Sequence, residues 1–276
     1  MIYKLVADSS ANVYSMPLNY ANVPLTINTA NDEFVDDGTL DVADMVERIR
    51  LTKGKSGTSC PNVFNWLRAF EGADRIFAVT ITGNLSGSCA ACRQAAQDYE
   101  QNNPGAKVCV IDSLSAGPEL GLILNKLARW IGEGREFEQM VADIAEYMTH
   151  THLSFSLESL TNLARNGRVN PAVAKIAGVL GIRVVGVASD VGTLEPLHKI
   201  RGEKKALEAL YQDMKDRGYK GGKVRIANCF NEPAGQTLEG LIRAQFPQAE
   251  VSHEKCGGLC SFYAEKGGLL VGYEDL

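Results

Sequence analysis

The chain alternates two hydrophobic rhythms. Short apolar or β-branched runs (Tyr3–Ala7, Val23–Ile27, Ile76–Thr82 and Lys107–Asp112) predict strands. Between them, apolar residues recur at helical spacing. Over Asp41–Leu51, Val42, Met45, Val46 and Ile49 share one face, and Asp41 is placed to cap the first turn. Pro61–Phe70 predicts another helix, with Ser59 or Cys60 ahead of a proline in its first turn. An Ala-rich stretch reaching about Tyr99, then Pro118–Ile131 and Phe137–Met148, continue the helical pattern. Strand–helix alternation of this kind points to βαβ units and a mainly parallel sheet.

Past His150 the rhythm changes. Arg183–Ser189 and Leu194–Ile200 read as strands joined by a turn at Asp190–Thr193, a hairpin signal. Phe155–Leu157, Val224–Cys229, Glu250–His253 and Leu269–Tyr273 are further strand candidates. Leu160–Ala164, residues 171–180, Glu203–Lys215 and Thr237–Gln245 read as helices. The expectation is an N-terminal α/β domain over residues 1–150 and a C-terminal α+β domain over residues 151–276.

Composition narrows the function classes. The 276 residues carry a net charge of −5 and 45% apolar residues, enough for two modest cores and unlike a disordered chain. With no Lys/Arg block there is no electrostatic footprint for nucleic acid. The longest apolar run, Ala177–Ala188, is broken by Gly178, Gly181, Arg183 and Gly186, short of the roughly 18–20 residues that span a bilayer. The N-terminus meets Asp8 without an apolar stretch of signal-peptide length. Seven scattered cysteines fit reduced thiols in a cytoplasmic protein.

The candidate chemistry lies in hydroxyl-rich turns that follow strands: Asp8-Ser9-Ser10, Thr82 through Ser88, and Asp112 through Ser115. Loops leaving the carboxyl ends of strands line the ligand crevice of open α/β sheets. Ser86 sits at the start of a predicted helix, where free N–H groups and the helix dipole favour an anion; it reads equally as a simple cap. Thr58 and Ser59 lie in a second such cluster, Ser56 through Pro61. Two turns of this type, if they converge, make a site for a carboxylate or an oxyanion. A P-loop is excluded because Ile49 stands where its first glycine belongs, and Ser86 is one position too late for a nucleophile elbow.

Other constellations carry alternatives. Cys89-Ala90-Ala91-Cys92, near a helix start, is the basis for a thiol redox enzyme. It has no second C-x-x-C to complete a zinc site, and Cys256 and Cys260 are spaced too widely to supply one. His150 and His152 lack a neighbouring ligand cluster, so no metal is expected. The basic stretches Arg165 through Arg168 and Lys199 through Lys205 are either helix ends in solvent or a docking surface that reads an anion.

Taken in order, Val6-Ala7-Asp8-Ser9-Ser10-Ala11, Gly57-Thr58-Ser59-Cys60-Pro61, Ile81 through Ser88, Val110-Ile111-Asp112-Ser113, Leu163 through Val169 and Lys199 through Leu207 resemble the DegV family of bacterial fatty-acid-binding proteins. The resemblance spans nearly the whole chain. It implies a long-chain fatty acid held in a tunnel between the two domains, with no cofactor and no catalytic residue. Carboxylate-binding hydroxyls carry over to Thr58 and Ser86, with Ser9, Ser59 and Tyr263 as further candidates. Family members hand the fatty acid to a partner kinase that phosphorylates its carboxylate. Basic residues of the second domain, matching Arg168 and Arg201, are implicated in that docking. Transient membrane contact is compatible with such a carrier.

The chain departs from the family at one place. Where the family usually has a His ahead of a Gly-Pro-Gly turn, this sequence reads Ser261 through Leu269, with Tyr263 at the His position. A phenol donates a hydrogen bond but carries no cation at neutral pH. This keeps open a carrier of another amphipathic anion, such as an acyl phosphate or an isoprenoid acid. His253 substitutes for the missing imidazole only if the segment is offset.

Overall fold

The strands that end in hydroxyl-rich turns lie side by side. The computed structural model describes residues 1–52, 54–172 and 181–276. In it β1 (Tyr3–Asp8), β2 (Tyr20–Val23), β6 (Arg75–Thr80) and β7 (Lys107–Asp112) form an all-parallel sheet in the order β2-β1-β6-β7. A parallel sheet needs cover on both faces. On one face, α2 (Val63–Phe70) and α3 (Ser88–Asn102) pack Trp66, Phe70, Ala95 and Tyr99 against Val6, Ile76 and Ala78. On the other, α4 (Pro118–Gly132) and α5 (Phe137–Met148) pack Leu120, Ile123 and Met140 against Leu5, Phe77 and Val79. α4 is buried continuously from Pro118 through Leu124. Its other side meets the second sheet, so it has no solvent face there.

The expected strand Val23–Ile27 is two strands. Pro24 has no N–H to continue a ladder. The chain therefore leaves the parallel sheet after Val23 and enters a small antiparallel one, order β4-β3-β5, made of β3 (Thr26–Asn28), β4 (Glu33–Val35) and β5 (Gly57–Ser59). α1 (Val42–Leu51) links β4 to β5 and is capped by Asp41 as expected. Ser59 and Cys60 do not cap α2. Asn62 does, in a reciprocal capping box with Asn65, because Ser59 is already part of β5.

The remaining strands make a mixed sheet, order β10-β9-β8-β13-β11-β12. They are β8 (Thr151–Leu157), β9 (Ile182–Ala188), β10 (Leu194–Arg201), β11 (Val224–Asn228), β12 (Val251–Lys255) and β13 (Leu269–Glu274). The predicted hairpin is β9–β10, with a bulge between Pro196 and His198. α6 (Thr161–Arg165) follows β8. Of the helix expected over 171–180, residues 173–180 lie outside those described. α7 (Glu203–Asp216) and α8 (Glu232–Gln245) cover one face of this sheet through Leu207, Leu210, Met214, Leu238 and Ile242. α8 begins before the expected Thr237, with Pro233 in its first turn.

One helix gave no sequence signal: α9 (Gly258–Ala264). Its glycine-rich start carries no capping side chain of its own. Asp36, from the small sheet's connection, supplies the cap by accepting from Gly258 N–H (2.8 Å) and Leu259 N–H (2.9 Å). Tyr14 Oη donates to the same carboxylate (2.7 Å). Among the described residues no helix is long and apolar enough to cross a membrane.

A candidate ligand cavity between the two sheets

On the face of the mixed sheet opposite α7 and α8, the side chains of β8 alternate. Leu153, Phe155 and Leu157 line a cavity, while Ser154 and Ser156 point the other way. Ile81 and Leu85 close it from the parallel sheet's side, Leu25 from the link between β2 and β3, and Leu259 from α9. The space between these walls, its open mouth included, is about 690 Å³. Among the described residues its wall is almost wholly apolar. The polar exceptions are Thr58, Ser86, Arg168 and Tyr263.

Those residues come from four separate segments, and backbone approach brings the segments together. A methyl placed on Gly87 would lie 3.2 Å from Cys60 Sγ, so the Ser86 turn touches the segment after β5. One on Gly57 would lie 3.1 Å from Asn166 Oδ1, so β5 touches the Arg168 loop. Thr58 Oγ1 and Tyr263 Oη are 2.8 Å apart. This pair has two hydroxyl protons and spends one on their mutual bond, so one remains to donate elsewhere. Ser86 Oγ accepts from Ser88 N–H (3.3 Å), which likewise leaves the Ser86 proton free. Ser86 also sits at the N-terminal end of the long helix α3, where the dipole favours negative charge.

Arg168 brings the only full charge to the described part of this wall. Its Nε donates to Leu85 O (3.1 Å) and one terminal nitrogen donates to Asn166 O. The other terminal nitrogen has no hydrogen-bond partner among the described residues. The combination of hydroxyl donors, a helix N-terminus and a guanidinium suits a carboxylate. The leucine-rich remainder suits a hydrocarbon chain.

The other sequence-proposed positions lie elsewhere. Ser9 is buried behind the wall, where its Oγ accepts from Leu25 N–H (3.0 Å). Ser59 points outward and accepts from Asn28 Nδ2 (2.8 Å). Arg201 ends β10 on the surface, whereas Arg168, expected at a docking surface, is in the cavity wall. His253 lies on β12 against Glu239 (2.8 Å), outside the lining residues. His150 and His152 both face the Asp275 carboxylate, at 2.8 and 2.9 Å. Sequence reasoning missed the hydrocarbon part of the wall and the role of Asp36 in seating the helix that carries Tyr263.

Five of the seven thiols are buried. All seven cysteines are free, and Cys89 and Cys92 are buried. Burial pushes both thiols up, away from the thiolate form that redox chemistry needs. Cys60 is exposed. Native titration with a thiol reagent should therefore show a fast phase that C60S removes, with Cys89 and Cys92 reacting only on unfolding. Fast labelling of Cys89 or Cys92 in the folded protein would revive the redox alternative.

Comparison with known proteins agrees with this geometry. A DegV domain-containing protein of Streptococcus pneumoniae is 44% identical, with 99% of each chain covered. The structure of the fatty acid kinase (Fak) B3 protein of Streptococcus pneumoniae, loaded with linoleic acid, is similar with a TM-score of 0.98, 44% identity and full coverage of both chains. A DegV family protein from Eubacterium eligens, loaded with heptadecanoic acid, gives 0.96 at 45% identity over 99% of each chain. A family model described as "Uncharacterised protein, DegV family" matches residues 3–275. The chain belongs to the DegV family.

Proposed function

We propose that this chain is a carrier of long-chain fatty acids. The acyl chain lies among the leucines between the two sheets, and the carboxylate lies at Thr58, Ser86, Tyr263 and Arg168. One observation carries the reading: the polar groups of an otherwise apolar cavity gather together, and all of them can donate to an anion. The similar proteins loaded with linoleic and heptadecanoic acid support it. So does the energetics. Burying a sixteen-carbon tail at ~0.8 kcal/mol per methylene is worth about 12 kcal/mol before the costs of association. Each charge-assisted bond offsets ~1.5–3 kcal/mol of carboxylate desolvation. The tail supplies affinity and the head-group cluster sets the direction of insertion.

Nothing in this arrangement asks for a nucleophile or a general base. The carboxylate would be presented to a fatty acid kinase, which does the chemistry, in keeping with the similar structure described as the fatty acid kinase (Fak) B3 protein. Arg201, exposed at the end of β10, remains the candidate for that docking. Seven free thiols support a reducing compartment, the cytoplasm, for this carrier.

Native mass spectrometry of protein purified from cells should show a co-purified fatty acid. T58A/S86A should lose most affinity for palmitate while keeping its fold. Protein that carries no lipid and takes up neither palmitate nor oleate would overturn the proposal. A preference for acyl phosphates or isoprenoid acids over both would replace the ligand and keep the site.

A further inference from the structure

Behind the head-group cluster, and outside the cavity lining, sits a fully buried carboxylate, Asp8. It closes the first hydroxyl-rich turn and collects three donors. Ser88 Oγ (2.7 Å) and Ile81 N–H (3.0 Å) donate to Oδ2, and Ser10 Oγ donates to Oδ1. Two of these donors lie beside the cavity: Ile81 lines it, and Ser88 N–H donates to Ser86 Oγ. Ser88 itself is fully buried and is not a lining residue. Gly87, the residue before α3, offers no side chain to fix the helix start, so the Asp8–Ser88 bond does so from behind.

A serine hydroxyl has one proton and two lone pairs and rotates to suit its surroundings. With Ser88 N–H occupying one lone pair of Ser86, the proton is directed away from Ser88. We propose that Asp8, acting through Ser88, is a positioning residue for the head-group site: it fixes the first turn of α3 so that Ser86 faces the ligand as a donor. An ionised carboxylate is the side chain suited to this, since it accepts from all three donors and presents none. An Asn at position 8 would turn an NH2 group toward at least one N–H or O–H. Burial pushes this carboxyl up from its usual range, and the three donors push the other way. The proposal rests on the fatty-acid reading above, because only an anionic head group needs Ser86 as a donor.

The test compares palmitate with hexadecanol, which shares the chain and lacks the charge. S88A removes one buried hydroxyl and leaves Asp8 its bonds to Ser10 and Ile81, so it decides the question if D8N does not fold. S88A should weaken palmitate by about fivefold, the size of one ordinary hydrogen bond, and leave hexadecanol unchanged. D8N, if folded, should show the same split. S86A/S88A should bind palmitate no more weakly than S86A, because both changes act on one donor. Equal loss for the two ligands, additive loss in the double variant, or palmitate binding untouched in S88A would overturn the positioning role while the fatty-acid reading stands. Wild-type protein that binds neither ligand would overturn both.

Discussion

R168M is expected to weaken long-chain carboxylates by roughly 10- to 100-fold and to spare the matching alcohols. Methionine fills much of the same volume without charge. The loss then measures the charge-assisted bond, ~1.5–3 kcal/mol, rather than packing. Arg168 is already held by Leu85 O and Asn166 O, with a terminal nitrogen left over, so little side-chain entropy is lost when a ligand arrives. R168K should recover only part of the affinity, because its donors all sit on one nitrogen and lack the planar fork that reaches both carbonyls and the ligand at once. A second consequence concerns pH. None of the four histidines is among the lining residues, and a guanidinium stays protonated throughout the physiological range. Affinity should therefore be flat from roughly pH 6 to 9, where a site built on imidazole would weaken as it deprotonates near ~6.5. Calorimetric titration across that range gives the answer. A fall centred near neutrality, or equal losses of acid and alcohol in R168M, would remove Arg168 from the head-group site.

The features legible in the sequence were those whose cause is local. β1, β6 and β7 are short apolar or β-branched runs, α1 carries its own Asp41 cap, and the β9–β10 hairpin has its turn residues in place. β3, β4 and β5 have three residues each, too few to show a period, and Pro24 merges two strands into one apparent run. α9 was invisible because its cap, Asp36, is distant in sequence. The site divides the same way. Thr58 and Ser86 stand in turns whose chemistry is plain from their neighbours. Tyr263 became a candidate only through resemblance, and Arg168 was assigned to the surface because spacing does not say which way a loop cation faces. Leu153, Phe155 and Leu157 have the alternation of any half-buried strand. Composition does not distinguish a core face from a cavity wall, since both exclude water with the same residues.

That ambiguity makes Phe155 and the residue beneath it the sharpest test of the cavity. Phe155 on β8 pairs with Gly186 on β9, which in turn pairs with Pro196 on β10. A methyl on Gly186 would lie 2.5 Å from Phe155 Cζ and 2.3 Å from the Glu195 carbonyl oxygen. The contact can be relieved in two ways. The carbonyl is backbone, so it yields only if β10 peels from β9; the ring yields by rotating into the cavity it lines. The first costs stability and the second costs space for the ligand. G186A is expected to lose at least the ~1–3 kcal/mol typical of overpacking, seen as a lower denaturation midpoint. Its affinity for palmitate should fall at least tenfold while a ten-carbon acid is held nearly as before, because the displaced ring shortens the hydrocarbon site. F155L, which removes the ring's far edge, should restore palmitate binding in the G186A background and leave the carbonyl clash, and its stability cost, in place. If G186A binds palmitate as wild type does, or F155L fails to rescue it, the acyl chain does not pass over Phe155.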